Sequence, residues 1–479
     1  MSGPAPRTIL FHDLAQARRA LDHDPEALLL SAPDAALQGG VPYLLAIAGR
    51  AGCPPQRLIL DTGDNMAAAF AAVSAGCGGL VFDPRAPGAA RIADLCAAQG
   101  VRLFGAPPDC FDPGAPTDFQ PAAGVINERP ANNGQGAQQM AARDIVETAN
   151  LMVAKNKGIL AADESTGTIK KRLDSINVES TEENRRAYRE LLFTADGAAD
   201  YISGVILFDE TLRQSTADGK RFADLLNEQG ILPGIKVDKG AKDLAGCPGE
   251  KVTEGLDGLR ERCQEYVELG ATFAKWRAVI DIADGIPSRA CIETNAHALA
   301  RYAAICQETG LVPIVEPEVL MDGGHDIDRC AEVTEAVLAE TYHQLHIQRV
   351  LLEGTILKPN MAISGKKCPV QAGVEEVAEK TVRMLKRTLP SAVPGAVFLS
   401  GGQSEEEATA HLSAMNAMGP LPWELSFSYG RALQASTLKA WGGESANVPA
   451  AQAAYAHRAR MNGLARNGDW SPEAEKAAA

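Results

Sequence analysis

The sequence predicts an α/β protein, a TIM (β/α)8 barrel preceded by a small parallel α/β domain. Three observations carry that prediction. Eight short aliphatic runs alternate with stretches of helical spacing between Gly158 and Phe427; a second, shorter alternation fills the first 110 residues; and residues 111–138 between them are rich in Pro, Gly, Asn, Gln and Ala without periodicity. Aliphatic runs separated by helical segments are the pattern of parallel strands buried on both faces. Eight such units over roughly 290 residues match the size of a barrel. The expected division is therefore residues 1–110 as the small domain, 111–138 as a linker, and 139–479 as the barrel with a C-terminal tail.

In the first segment, strands are expected at Thr8–His12, Ala27–Leu30, Arg57–Leu60, Gly79–Phe82 and Val101–Phe104, with helices at Met66–Ala75 and Ala89–Ala98. Asp61-Thr62-Gly63-Asp64-Asn65 sits where a strand passes into a helix. Open α/β sheets often bind ligands at such a place, and side chains of these types also cap helices. Gly76-Cys77-Gly78-Gly79 lacks the GxGxxG spacing, so no dinucleotide site is expected. Every basic residue before Lys155, histidines aside, is arginine, so amine chemistry has to come from the later segment.

There, a helical pattern over Ala141–Val153 leads into strands expected at Gly158–Ala162, Ile202–Phe208, Leu232–Val237, Phe273–Ile280, Val312–Val315, Val350–Leu357, Val397–Leu399 and Leu425–Phe427. The intervening helices include Glu182–Phe193, Leu256–Leu269, Thr294–Glu308, Asp328–Gln344, Val374–Thr388 and Glu405–Met415. Ser404 followed by Glu407 reads as a capping box opening the last of these.

Composition removes several classes of function. There is no apolar run of the ~18 residues that a membrane span needs, and Met1–His12 do not read as a secretory leader. Ten cysteines are scattered without a CxxC pair, as suits reduced thiols and a cytoplasmic setting. A net charge of −15 argues against general nucleic-acid affinity. Small anionic substrates remain open, since a local cluster of cations can override the mean.

If the second segment is a barrel, its chemistry gathers at the C-terminal ends of the strands. Those ends are unusually polar: Asp163, then Lys236 and Asp238, Glu316 and Glu318, Lys358, Ser400-Gly401-Gly402, and Ser428-Tyr429-Gly430-Arg431, with Lys275 and Arg277 inside the fourth strand. Period-two geometry puts Lys275 with Arg277, and Glu316 with Glu318, on common faces. So many charges of both signs are costly to bury unless they pair around one site. Lys358 ends an apolar run and is followed by Pro359, so it stands at the barrel mouth. A lysine there becomes a nucleophile when a neighbouring cation and desolvation depress its pKa, which makes Lys358 the candidate Schiff-base former and Lys275 its neighbour. Glu316 and Asp163 are placed to move protons. Ser400-Gly401-Gly402 and Gly430-Arg431 follow the seventh and eighth strands, where barrels hold phosphate through backbone N–H groups and a guanidinium. A metal-dependent route would need clustered histidines. The one close pair, His343 and His346, falls on a helix and reads as a surface face, so no metal or cofactor is expected.

Residues from about 135 to 465 closely resemble the class I fructose-1,6-bisphosphate aldolases of animals and plants. The resemblance is carried by Gly158-Ile159-Leu160-Ala161-Ala162-Asp163-Glu164-Ser165-Thr166-Gly167, Lys236-Val237-Asp238-Lys239-Gly240, Phe273-Ala274-Lys275-Trp276-Arg277, Ile314-Val315-Glu316-Pro317-Glu318, Leu357-Lys358-Pro359-Asn360-Met361, Leu399 to Glu407, and Phe427 to Gln434. It implies cleavage of fructose 1,6-bisphosphate through a Schiff base on Lys358. Asp163 would handle the hydroxyl proton, Glu316 carbinolamine dehydration with Lys275 assisting, and Glu318 would complete the catalytic set. Ser400, Gly401, Gly402, Ser428, Gly430 and Arg431 would hold the C1 phosphate. Ser165, Thr168, Lys236, Lys171, Arg172 and Arg277 would face the other. Thr168 replaces the family's usual serine and keeps its hydroxyl. A further implication is a homotetramer with no cofactor. Two departures stand out. The final residues, Asp469 to Ala479, contain no counterpart of the tyrosine that ends the eukaryotic members, which puts the rate of proton exchange at the enamine carbon in question. The first domain resembles nothing recognised, and its own sheet pattern suggests an assembly or ligand-sensing role. The rival from another class is a catalytically silent barrel serving as a binding scaffold.

Overall fold

The computed structural model describes residues 7–11, 14–31, 41–62, 66–86, 88–105 and 145–477. The chain forms two compact units, residues 1–130 and 131–479. The expected linker at 111–138, residues Gly63, Asp64 and Asn65, and the first residues of the helix expected from Ala141 lie outside the described residues.

In the first unit, β1 (Thr8–Phe11), β2 (Leu28–Ser31), β3 (Leu58–Asp61), β4 (Gly79–Val81) and β5 (Arg102–Phe104) form one sheet in sequential order, all parallel. A sheet laid down in one direction by right-handed crossovers collects its helices on one face. The packing agrees. Ile9, Phe11, Leu29, Leu58, Leu60 and Leu80 share a core with Ala17, Leu44, Ile47, Val73 and Ile92 from the helices, whereas Leu28, Leu30, Ile59 and Val81 form a separate cluster that contains no helix residue among those described. Because the order never reverses, no crevice opens at a switch point beside β3, and the ligand-site argument for the Asp61 turn loses its topological basis. Asp61 itself is buried, with its N–H donating to Ser31 Oγ at 2.9 Å.

In the second unit, β6 (Gly158–Ala162), β7 (Ile202–Leu207), β8 (Leu232–Lys236), the short hairpin strands β9 (Ala241–Asp243) and β10 (Lys251–Thr253), then β11 (Phe273–Ile280), β12 (Val312–Val319), β13 (Ile356–Leu357), β14 (Gly395–Phe398) and β15 (Glu424–Tyr429) follow in order. All but the antiparallel hairpin pair β9–β10 close into an eight-stranded parallel barrel. Helices Glu182–Phe193 and Val374–Thr388 span the ranges their periodicity predicts, and Ser404 with Glu407 makes the expected capping box. Residues 145–152 form a helix whose Ile145, Ala149 and Met152 pack with barrel residues Ile159, Ile206, Phe273, Ile314 and Ile356. Among the described residues no helix is long and apolar enough to cross a membrane.

Two strands depart from expectation. The strand expected at Val312–Val315 continues to Val319, so Glu316 and Glu318 lie within β12 rather than beyond it. The aliphatic run Val350–Leu357 is not a strand throughout: Leu352–Gly354 is a 3-10 turn and only Ile356 and Leu357 pair. The cause is a side chain far away in sequence. Gln307 accepts from the Leu351 N–H at 2.9 Å and donates to the carbonyls of Leu351 and Gly354 at 2.8 and 3.1 Å, drawing off the backbone groups a longer strand would have paired. Lys358 is thereby left one residue beyond a short, fully buried strand.

Glycines shape the barrel interior. A Cβ at Gly234 would fall inside contact distance of the Phe273 ring, which fills the space in front of both Gly234 and Gly204. Gly234→Ala is expected to cost about 1–3 kcal/mol through overpacking. A lowered thermal unfolding midpoint, with the helical circular dichroism retained at low temperature, is the measurement that checks it.

Candidate active site

Lysine at a strand end is expensive to bury, yet Lys358 is 5% exposed, on a backbone fixed by its N–H donating to Val315 O at 2.8 Å. Its Nζ lies 3.1 Å from Glu316 Oε1 on the neighbouring β12. The other Glu316 oxygen is 3.5 Å from Lys275 Nζ, and Lys275 in turn sits 2.7 Å from Asp163 and 3.9 Å from Asp238. The two lysines therefore meet through a shared carboxylate, and the field at Lys358 is set by Glu316 as well as by the neighbouring cation that the sequence suggested.

The electrostatics follow from this alternation. Burial alone would raise the Asp163 carboxyl, but the ammonium groups of Lys275, Lys358 and Lys236 outweigh it and hold Asp163 well below the usual carboxylate range. Burial would lower Lys275, and Asp163, Glu316 and Asp238 reverse that, holding it above the ordinary lysine value. Asp163 is thus an ionised base and Lys275 a fixed cation.

These groups line a cavity of about 650 Å³ at the C-terminal ends of the strands. Around it stand Ser165, Thr168, Arg172, Lys236, Arg277, Glu318, Ser400, Gly401, Ser428, Gly430 and Arg431. Gly401 and Gly402 take positive φ, +55° and +81°, which turns the chain sharply after β14. Gly430 precedes the helix Arg431–Trp441, so the first N–H groups of that helix have no intrahelical partner. Ser165 stands at the start of the helix Thr166–Asp174 without a side-chain bond to the helix N–H groups, its Oγ lying 3.2 Å from Thr168 Oγ1. Among buried oxygens of the cavity wall, Ser428 Oγ has no hydrogen-bond partner and Glu316 Oε2 has only the ion pair to Lys275 at 3.5 Å. Unsatisfied buried groups are rare, and here they offer acceptors to a polar molecule entering between them.

The chain matches the family description "Fructose-bisphosphate aldolase class-I" over residues 144–479. It is 62% identical over 332 residues to a Xanthomonas campestris protein named "Probable fructose-bisphosphate aldolase class 1", covering 69% of this chain and 99% of that one. It is 59% identical over 333 residues to the Arabidopsis thaliana protein "Fructose-bisphosphate aldolase 4, cytosolic", covering 69% and 85%. The chain belongs to the class I fructose-bisphosphate aldolase family. A co-crystal structure of fructose-bisphosphate aldolase from Plasmodium falciparum, in complex with TRAP and a small molecule inhibitor, superposes with a TM-score of 0.69 at 52% identity, covering 69% of this chain and 96% of that one. Residues 1–143 lie outside the family match.

Within this aldolase barrel most of the residues singled out from sequence converge on the cavity, and two do not: Gly402, on the turn after β14, stands outside the cavity wall, and so does Lys171. Lys171 is exposed and outside the cavity wall, because Ile169 and Leu173 turn inward and leave it on the solvent side of its helix. His343 and His346 are both exposed on the helix Ile327–Ile347. Three wall residues were not foreseen as functional: Glu164, Lys239 and Asp238. Glu164 is buried and ion-paired to both Arg172 and the buried Arg189, which fixes the guanidinium of Arg172 at the cavity edge. Lys239 and Asp238 were readable in the Lys236-Val237-Asp238-Lys239-Gly240 motif, where Asp238 accepts from Lys236 at 2.6 Å. At the C-terminal end, Glu475 pairs with Arg458 and His457 and accepts from Trp470 Nε1 at 2.8 Å, so residues 470–475 pack on the helix Val448–Asn467.

The charge network has a pH signature. Asp163 is depressed, so its contribution to stability is complete above the unfolded carboxylate pKa near ~4 and is lost as pH falls through the lower folded value; Lys275 is raised, so its contribution is complete below ~10 and is lost as pH rises through the higher folded value. Comparing unfolding midpoints of wild type and K275M across pH should give a difference that is flat between those limits and narrows outside them.

Proposed function

We propose that this protein is a class I fructose-bisphosphate aldolase that cleaves fructose 1,6-bisphosphate reversibly to dihydroxyacetone phosphate and glyceraldehyde 3-phosphate through a Schiff base on Lys358. The observation that carries the reading is the buried Lys358–Glu316–Lys275–Asp163 chain in a cavity also lined by cations, hydroxyls and glycines suited to phosphate.

Lys358 acts as a nucleophile only after shedding its proton, and Glu316 at 3.1 Å is within reach to take it. Attack on the C2 carbonyl gives a carbinolamine, and the same carboxyl returns a proton to the departing hydroxyl, releasing water and leaving the iminium. Asp163, kept ionised by the surrounding lysines, removes the C4 hydroxyl proton. The C3–C4 bond then breaks, its electron pair flows to the iminium nitrogen as an enamine, and the aldehyde leaves. Protonation at C3 and hydrolysis complete the cycle. Lys275 holds Asp163 and Glu316 in register by pairing with both. Ser400, Gly401, Gly402, Ser428, Gly430 and Arg431 bind the C1 phosphate. Ser165, Thr168, Arg172, Lys236 and Arg277 face the other, while Glu318 pairs with Arg277 and aims it. Convergence of these groups, Gly402 excepted, on one cavity disfavours the silent-scaffold alternative.

The remaining assignments rest on the family resemblance and on composition: a cytoplasmic homotetramer acting on sugar phosphates. The first 110 residues form a separate domain joined through 111–138 and serve assembly or ligand sensing. Removing residues 1–130 is expected to leave cleavage intact while altering oligomer size or effector response; unchanged size and response would remove that role.

Borohydride reduction with fructose 1,6-bisphosphate present, followed by peptide mass mapping, should place the adduct on Lys358, with cleavage resistant to EDTA. K358M should lose roughly 10³-fold or more in kcat. A folded wild-type protein with neither adduct nor turnover would sink the reading.

A further inference from the structure

We infer that Lys366, on the loop after β13, is an additional phosphate-binding residue at the Ser400-Gly401-Gly402 end of the cavity. The inference rests on the aldolase reading and deepens it. The loop that carries Lys366 is not free to wander. Its backbone is zipped to the loop after β12 by Gly365 N–H to His325 O at 2.8 Å, Lys366 N–H to Met321 O at 2.7 Å and Lys367 N–H to Gly323 O at 3.0 Å.

Those two loops together clasp the glycine turn. The buried Met321 side chain occupies the space where Gly401 would carry a Cβ, and Lys366 occupies the corresponding space at Gly402. Lys366 Nζ and Arg431 Nη2 lie 2.9 and 3.5 Å from the single point that a Gly402 Cβ would take. Two cations, one on a loop and one at the start of the helix Arg431–Trp441, therefore converge over the same partly buried stretch of backbone. Because Gly402 has no Cβ, both cations can sit close beside that backbone, where one anion would meet them together.

Lys366 is held by Asp322, 2.7 Å away and belonging to the loop after β12. Asp322 is lowered below the usual carboxylate range first by its bond to Lys366 and, more weakly, by the charges of Arg431 and Lys367. That pair is about half exposed on both sides, with Lys366 47% and Asp322 62% accessible. An exposed pair of this kind is worth little by itself, so Lys366 can exchange Asp322 for a phosphate oxygen at small cost. A phosphate dianion offers more charge than a carboxylate and sits where Arg431 already favours it. Lys366 serves as a pre-aligned cation whose resting partner keeps it extended beside the glycine turn. In the sequence Lys366 gives no signal, because it stands nine residues beyond β13, well past the strand end.

Steady-state kinetics of wild type, K366M and K366R with fructose 1,6-bisphosphate and with fructose 1-phosphate test this, alongside calorimetric titration of each protein with inorganic phosphate. K366M should raise KM about tenfold for both sugars with kcat within about twofold, K366R should recover most of the loss, and phosphate should bind K366M about tenfold more weakly than wild type. Equal phosphate affinity in wild type and K366M overturns the inference, as does a KM change confined to the bisphosphate, which would assign Lys366 to the other phosphate. A wild type that binds phosphate with this difference but cleaves neither sugar would sink the aldolase reading alone.

Discussion

Two lysines are carried into a wall almost closed to water, and the C-terminal end of the barrel is arranged around the carboxylates that meet them. An ammonium buried without a partner costs several kcal/mol. Lys275 escapes that cost through Asp163, Glu316 and Asp238, contributed by three different strand ends. Lys358 has only Glu316 within ion-pair distance among the described residues. The asymmetry is chemically useful. The more heavily neutralised lysine is fixed as a cation and holds its carboxylates in place, while the other, with one carboxylate partner, is the nucleophile of the proposed mechanism. Closure of the barrel makes this possible, since only a closed parallel sheet brings β6, β8, β11, β12 and β13 to one mouth with all their C-terminal ends on the same side.

Outside that centre, binding of the substrate's two ends is assigned to backbone as much as to side chains. The Gly401-Gly402 turn, the start of the helix Arg431–Trp441 and the helix opened by Ser165 offer N–H groups. Each of these is braced from behind. Glu164 with Arg189 steadies Arg172, and the loop pair carrying Met321 and Lys366 clasps the glycine turn. The N-terminal sheet obeys a different economy of packing: its sequential strand order leaves one face to helices and the other to a helix-free apolar cluster, a layout without the reversed strand order at which open sheets bind ligands.

The barrel was legible because its strands are buried on both faces and so must be aliphatic throughout, while its helices keep an amphipathic period. Glu182–Phe193 and Val374–Thr388 could be read to the residue for that reason. Val350–Leu357 was misread because its aliphatic character reflects packing, whereas its backbone is claimed by Gln307 from another helix, a contact that no local window contains. Site residues at strand ends were visible as polar interruptions of apolar runs. Glu164 and Lys366 were not, since one sits beside a more conspicuous aspartate and the other lies deep in a loop whose course is set by partners on the preceding strand's loop.

Sequence alone determined the fold class, the family resemblance and the identity of the lysine, carboxylates, hydroxyls and glycines that gather at the barrel mouth, because each depends on local patterning and residue chemistry. Tertiary structure decided how those groups are wired. That Glu316 bridges two lysines, that Lys171 turns to solvent while Arg172 faces the cavity, and that Lys366 reaches Gly402 are matters of distance between segments far apart in the chain. Charge interactions and hydrogen bonds act over a few ångströms in space, and separation along the chain does not encode those distances.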